Sequence, residues 1–191
     1  MMRKILALVL VATAVPALQG CVPLAVTGAA AGAMMASDRR TTGTYIEDEE
    51  IEWKVVGRLR EGFNGAHVNA TSYNRRVLLT GEAPDDYSRK KIEEVVRVIQ
   101  NVKDVVNELQ VAGASSLASR GNDSLVTSNV KARMVGDKKF SPSHVKVVTE
   151  AGVVYLMGLV TTEEGDAAVE IARTTSGVNR VVKVFEYVGN K

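Results

Sequence analysis

The sequence is short of the residues that most site chemistry needs. It holds one cysteine and two histidines among 191 residues, so a disulfide framework is excluded and a zinc ribbon has no material to be built from. Aromatic residues make up only 5%, and Val and Ala supply most of the apolar 46%. Such a composition suits small sheets backed by helices rather than one large core. Charge of one sign is missing too. Positive and negative side chains number 24 and 22, and with Arg3 and Lys4 assigned to an export segment the rest balances at 22 against 22. A nucleic-acid binder would carry a basic excess, so no nucleic-acid partner is expected. The apolar run Ile5 to Val15 is too short to cross a bilayer comfortably.

What is present begins at the amino terminus. Residues 1–20 have a charged start (Arg3, Lys4), that apolar run, and small or turn-forming residues before Cys21, the three parts of an export signal. A lone Cys in an exported chain has no intramolecular disulfide partner. The stretch Leu18-Gln19-Gly20-Cys21 resembles the lipobox of bacterial lipoproteins. The resemblance implies that Cys21 is acylated and becomes the first residue of the mature chain, held to a membrane by its acyl chains at about 0.8 kcal/mol per buried methylene. Val22 stands where, in such lipoproteins, an Asp would favour inner-membrane retention, so outer-membrane attachment on the periplasmic face is expected. Residues 21–46 are rich in Ala and Gly before a short charged stretch, and are expected to form the acylated Cys and a flexible tether.

The remainder is organised by an internal repeat. One copy covers residues 47–111 and the other 124–188, with an Ala/Ser/Gly-rich linker over 112–123. Ile51, Val55, Arg58 and Leu59 match Val126, Val130, Arg133 and Met134. Further on, Phe63, His67, Val68, Val77, Leu79 and Gly81 match Phe140, His144, Val145, Val154, Leu156 and Gly158. Each copy predicts helix, strand, strand, helix, strand. Apolar residues at Val126, Val130 and Met134 give the first helix one buried stripe, and Asn122, Asp123 and Ser124 offer acceptors for its unpaired amides. Alternation through Val145, Val147, Val154 and Leu156 around Ala151-Gly152 predicts a hairpin with one face inward. A helix from about Glu163 to Thr175 should stop near Gly177, and a strand over 180–188 should complete a three-stranded sheet. A unit of this size is near the lower limit for folding alone, so the copies are expected to pack together.

The glycine closing the second strand (Gly81, Gly158) and the stretch Gly177-Val178-Asn179-Arg180-Val181 before the last strand carry a resemblance to the BON domain, an αββαβ module. The first copy has Asn101 in place of Gly177, a change expected to loosen that helix end. The fold expected is therefore α+β, with two tandem BON modules, each a three-stranded sheet with two helices on one face. Two such units behind a lipobox resemble the dual-BON outer-membrane lipoproteins associated with cell division and envelope stress. BON modules are regarded as phospholipid-binding or attachment modules. The resemblance thus implies a non-catalytic protein without cofactor or metal.

The residues agree with that. His67 and His144 occupy equivalent places with no Cys, Asp or Glu at ligand or triad spacing, which suits a scaffold role. The first helices differ more. In the second copy Val126, Val130 and Met134 face inward, leaving Leu125, Ser128, Lys131, Ala132 and Val135 outward or flanking, rimmed by Arg133, Lys138 and Lys139. Residues 123–139 carry four positive and two negative charges, whereas residues 47–61 carry three and six. An anionic lipid surface attracts each nearby Lys or Arg by about 1 kcal/mol. The second copy should therefore bind anionic phospholipid of the phosphatidylglycerol kind through those residues, and a monomer supporting envelope integrity at division sites is expected. The alternative is an adaptor for an outer-membrane assembly or division protein, with Trp53 on the acidic helix as contact or anchor and lipid contact incidental.

Overall fold

A computed structural model describes residues 38–63, 65–137 and 141–189. The export segment, Cys21, the tether through Ser37, and Lys138, Lys139 and Phe140 lie outside the described residues. The first repeat runs α1 (Thr42–Gly62), β1 (His67–Tyr73), β2 (Arg76–Ala83), α2 (Asp86–Arg97), β3 (Asp104–Asn107) and β4 (Gln110–Val111). The second runs α3 (Leu117–Gly136), a 3-10 turn (Pro142–His144), β5 (Val145–Glu150), β6 (Val153–Val160), α4 (Thr162–Arg173) and β7 (Arg180–Tyr187). This is the α+β architecture expected from the repeat.

In each repeat the first two strands form an antiparallel hairpin, and the last strand joins the second in parallel. The hairpin turns put Asn74-Arg75 and Ala151-Gly152 at positive φ, the type I′ geometry that matches strand twist. A buried carboxylate on the preceding helix holds each turn. Asp123 accepts from the Ala151 and Gly152 amides at 3.0 and 2.8 Å, and Asp48 accepts from Asn74 and Arg75 at 2.8 and 2.7 Å. Asp123 is thus mid-helix and bound to a turn, not the helix-start acceptor expected. The start lies earlier, where Ser116 accepts from the Ser119 amide at 3.2 Å. The helix therefore absorbs much of the expected linker, and α1, capped by Thr41, absorbs the last five residues given to the tether. Each extension mixes polar and apolar residues and starts at a capping hydroxyl immediately before it.

The equivalent glycines face a close approach. A Cβ on Gly81 would lie 2.1 Å from the His67 carbonyl oxygen, and one on Gly158 would lie 2.3 Å from that of His144. At Gly81, where φ is +110°, the parallel edge is broken into β3 and β4, while β7 runs unbroken past Gly158. Asn101 takes φ +71°, beside +87° at Gly177. It therefore adopts the left-handed terminator that Gly177 adopts rather than loosening the helix end, because Asn tolerates that region.

Each sheet presents one face to its own helices. Ile51, Val55, Val77, Leu79, Ile92 and Val96 form part of the first core, and Val126, Val130, Met134, Val154, Leu156 and Ile171 part of the second. The other faces are not solvent-exposed. Tyr73 and Leu78 of the first sheet pack with Tyr155, Met157 and Val184 of the second in a separate buried cluster. The one-face-inward hairpin expected from alternation is thereby corrected. The intervening residues of β2 and β6 are buried as well, because the two sheets stack back to back, each large buried side chain contributing about 1.5–3 kcal/mol.

Polar contacts rim this interface. Lys146 Nζ meets Glu52 at 2.9 Å, Asn69 donates to Glu150 at 2.8 Å, and Asn74 donates to Glu186 at 3.1 Å. The segment Asp38-Arg39-Arg40 crosses both repeats. Arg39 forks onto Glu164 at the start of α4, with Nη2–Oε1 at 3.0 Å, and Arg40 reaches Asp48 at 2.8 Å over the Tyr73 ring at 4.0 Å.

Candidate functional site: the outer face of α3 and its surroundings

Helix α3 forms because Val126, Val130 and Met134 recur every four residues and bury completely or nearly so. At about 100° per residue the opposite side carries Leu117, Gly121, Leu125, Ser128, Ala132 and Val135 in one stripe. Leu117, Leu125 and Val135 are 84%, 66% and 71% exposed. Leu117 was not anticipated, since it fell in the expected linker. Extending the 3.6-residue period back through Gly121 would have found it.

The polar members are placed as follows. Lys131 is exposed on one flank of the stripe and makes no hydrogen bond or ion pair among the described residues. Ser128 returns its hydroxyl to the Ser124 carbonyl at 2.9 Å. Arg133 stands on the other flank, where its guanidinium donates to Ile171 O at 2.8 Å, to Thr175 at 2.6 Å and to Thr174 at 3.0 Å. It clamps the C-terminal end of α4, where a cation also complements the helix dipole. Three of its five N–H donors are thereby used, which leaves its charge and two donors for any lipid contact. Lys138 and Lys139 lie outside the described residues.

The acidic helix α1 is less free than its charge count implies. Glu47 pairs with Arg75, Asp48 is buried in the turn, and Glu52 takes Lys146 and the Ser72 amide at 2.7 Å. Trp53 on this helix is 74% exposed, so of its two expected roles the interdomain contact is not the one it has. No helix among the described residues is long and apolar enough to cross a membrane.

Both histidines find carboxylates that sequence spacing did not show. His144 Nδ1 lies 3.2 Å from Glu164. Arg39 and His144, with the Thr161 amide, hold that carboxyl down at about 2 against the opposing effect of burial. His67 Nδ1 lies 2.9 Å from Glu82, whose pKa is lowered, despite burial, by the Ser115 amide and His67. Beside this pair, a polar cavity of about 390 Å³ opens between the repeats, lined by Asn69, Arg120, Asp123, Ser128 and Glu150 among others.

The profile of the BON domain matches residues 47–113 and 122–189. The chain belongs to the BON-domain family. The "Outer membrane lipoprotein DolP" of Haemophilus influenzae is 40% identical over 174 residues, 90% of this chain and 90% of that one. The "21 kDa hemolysin" of Actinobacillus pleuropneumoniae is 32% identical over 154 residues, 79% of each chain. "Osmotically-inducible protein Y" of Escherichia coli is 28% identical over 160 residues, covering 81% of this chain and 80% of its own. Together these relatives support an envelope-associated BON-domain lipoprotein. The dual-BON resemblance drawn from the glycines and the repeat is thus correct. The α3 stripe belongs to the second BON domain and Trp53 to the first.

Proposed function

We propose that the protein is a lipoprotein of the outer membrane, attached through acylated Cys21 and facing the periplasm. Its second BON domain binds anionic phospholipid through α3 and so supports envelope integrity at division sites. The observation that carries this reading is the exposed stripe of Leu117, Leu125, Ala132 and Val135 with Lys131 on its flank. Apolar side chains that cover no core can enter the headgroup region, while the ammonium pairs with phosphate. The name of the Haemophilus relative supports the location.

The test separates α3 from α1. Residues 38–191, without the anchor, are floated with phosphatidylglycerol and with phosphatidylcholine vesicles at low ionic strength. Reversing one charge removes one attraction and adds one repulsion, about 2 kcal/mol together, so Lys131→Glu should weaken binding to the anionic vesicles roughly 30-fold. Leu125→Glu should do the same, and Trp53→Ala should change nothing. Failure to float with anionic vesicles, or loss confined to Trp53→Ala, rejects the reading.

A second reading has its own observation in the 74% exposure of Trp53. On the same helix Lys54, Gly57 and Arg58 line a groove of about 730 Å³ with Val95, Val98 and Ile99. An exposed Trp beside such a groove is a hot-spot arrangement for a protein partner, as an adaptor for an outer-membrane assembly or division factor would have. Loss of a co-purifying protein from Trp53→Ala, with vesicle binding intact, would favour it.

A further inference from the structure

The two equivalent histidines sit in opposite electrostatic settings. Around His144 the carboxylate of Glu164 is shared with Arg39, whose guanidinium lies on the same two oxygens. Around His67, no Lys or Arg among the described residues pairs with Glu82 or Glu150. Instead a second carboxylate, Glu150, arrives from the end of β5 in the other BON domain. One ligand atom each from His67, Glu82 and Glu150 lies within 4.8 Å of the others.

Both carboxylates are costly where they are. Glu82 and Glu150 are each 7% exposed, and two anions placed together out of water require a compensating charge. Arg120 lines the neighbouring cavity, but its guanidinium is bound to the Ser115 hydroxyl and carbonyl at 3.2 and 3.0 Å, and it forms no ion pair with Glu150 or Asp123. Surrounding groups hold the cluster in place. Asn69 and Thr80 donate to Glu150 Oε2 at 2.8 and 3.3 Å, and the Ser115 amide donates to Glu82 Oε2 at 3.1 Å. Such outer contacts orient ligands in metal sites. His67 Nδ1 lies 2.9 Å from the same Glu82 oxygen, while the other oxygen of Glu150 accepts no hydrogen bond from a described residue.

We infer that His67, Glu82 and Glu150 form a binding site for a divalent transition-metal ion of the zinc class, built across the junction of the two BON domains. One imidazole and two carboxylates suit zinc better than magnesium or calcium, which prefer all-oxygen sets. Zinc bonds of about 2.0–2.2 Å require the three ligand atoms to draw together by roughly 1 Å, within the reach of side-chain rotation. A fourth position remains for water. The polar cavity, which Glu150 and Asn69 line, gives the ion a path in from solvent. Since Glu150 belongs to the second domain and the other ligands to the first, the ion ties the two domains together.

Metal-stripped full-length protein in detergent micelles, titrated calorimetrically with zinc chloride alone, should bind one ion per chain. Saturation should raise the melting temperature by about 5 °C or more, because an ion that binds only the folded state stabilises it. His67→Gln and Glu150→Gln should each weaken zinc binding at least about 10-fold, whereas His144→Gln should leave it unchanged. Glu150→Gln keeps an acceptor for Asn69 and Thr80, and the melt of each variant without metal shows that it folds. Replacing zinc by cobalt should give a visible absorption band that Glu150→Gln removes. Absence of zinc binding by the parent protein, or binding that Glu150→Gln leaves intact, overturns the inference.

Discussion

The two BON domains are built to one plan and finished differently. Positions alike in both, such as the Asp48 and Asp123 carboxylates and the glycines that admit the His67 and His144 carbonyls, hold hairpin turns and strand pairs. Positions that differ lie where each domain meets something else. Around His144 a guanidinium from outside the repeat neutralises Glu164, while around His67 a second carboxylate is brought in. The outer face of α3 is apolar with Lys131 on its flank, while that of α1 carries Trp53 next to the Glu50–Lys54 pair. Duplication preserved what the fold needs and released what interfaces use.

The sharpest way to break this comparison is at the paired aspartates. Asp48→Ala should cost about 2–4 kcal/mol, because it also removes the acceptor of the buried Ser72 hydroxyl and one of the two carboxylate partners of Arg40, Asp38 remaining. Asp123→Ala removes two turn contacts without leaving a buried cation and should cost about 1–3 kcal/mol. Urea denaturation of both variants measures the difference, and equal costs would mean that Ser72 and Arg40 contribute nothing to it.

Acid provides the next test. Glu164 titrates at about 2 in the folded protein against an ordinary 4.5. A carboxyl with a lowered folded pKa stabilises the protein above its unfolded value, and that stability disappears as pH falls from about 4.5 towards 2. The amount is on the order of 3 kcal/mol. Arg39→Ala should be less stable at neutral pH and show a flatter loss over that window, as read from thermal melts at pH 7, 4 and 3. An unchanged acid slope would remove Arg39 from the account of Glu164.

The smallest expected effect concerns the helix ends. Asn101 and Gly177 share a left-handed conformation, and Asn101→Gly should stabilise the first domain by under about 1 kcal/mol. A Cβ at Gly177 would approach Val126 at 2.8 Å, so Gly177→Asn should destabilise the second domain by more. Denaturation midpoints of the two variants should move in opposite directions.

Much of this architecture was legible because its signals are local. Helical stripes such as Val126, Val130 and Met134 follow from neighbours within two turns, and the hairpin at Ala151-Gly152 from alternation around one turn. The outward Leu125 and Val135 could be placed for the same reason. The equivalence of Asp48 to Asp123, though not the turn-holding role of either, was also available, since Asp48 stands three residues before Ile51 as Asp123 stands before Val126. It was hidden inside an acidic run whose net charge drew attention from individual positions. The continuous apolar stretch Val153–Val160 carried a further sign, because a strand that fails to alternate is buried on both faces.

The sequence alone determined a duplicated helix–strand–strand–helix–strand unit and the faces of its elements, since periodicity and turn chemistry act between residues close in the chain. Only the tertiary structure decided that the sheets stack back to back, that Arg133 clamps α4, and which carboxylates reach His67 and His144. Those contacts join residues far apart in sequence, where burial and charge compensation select the partner and no local spacing records the choice.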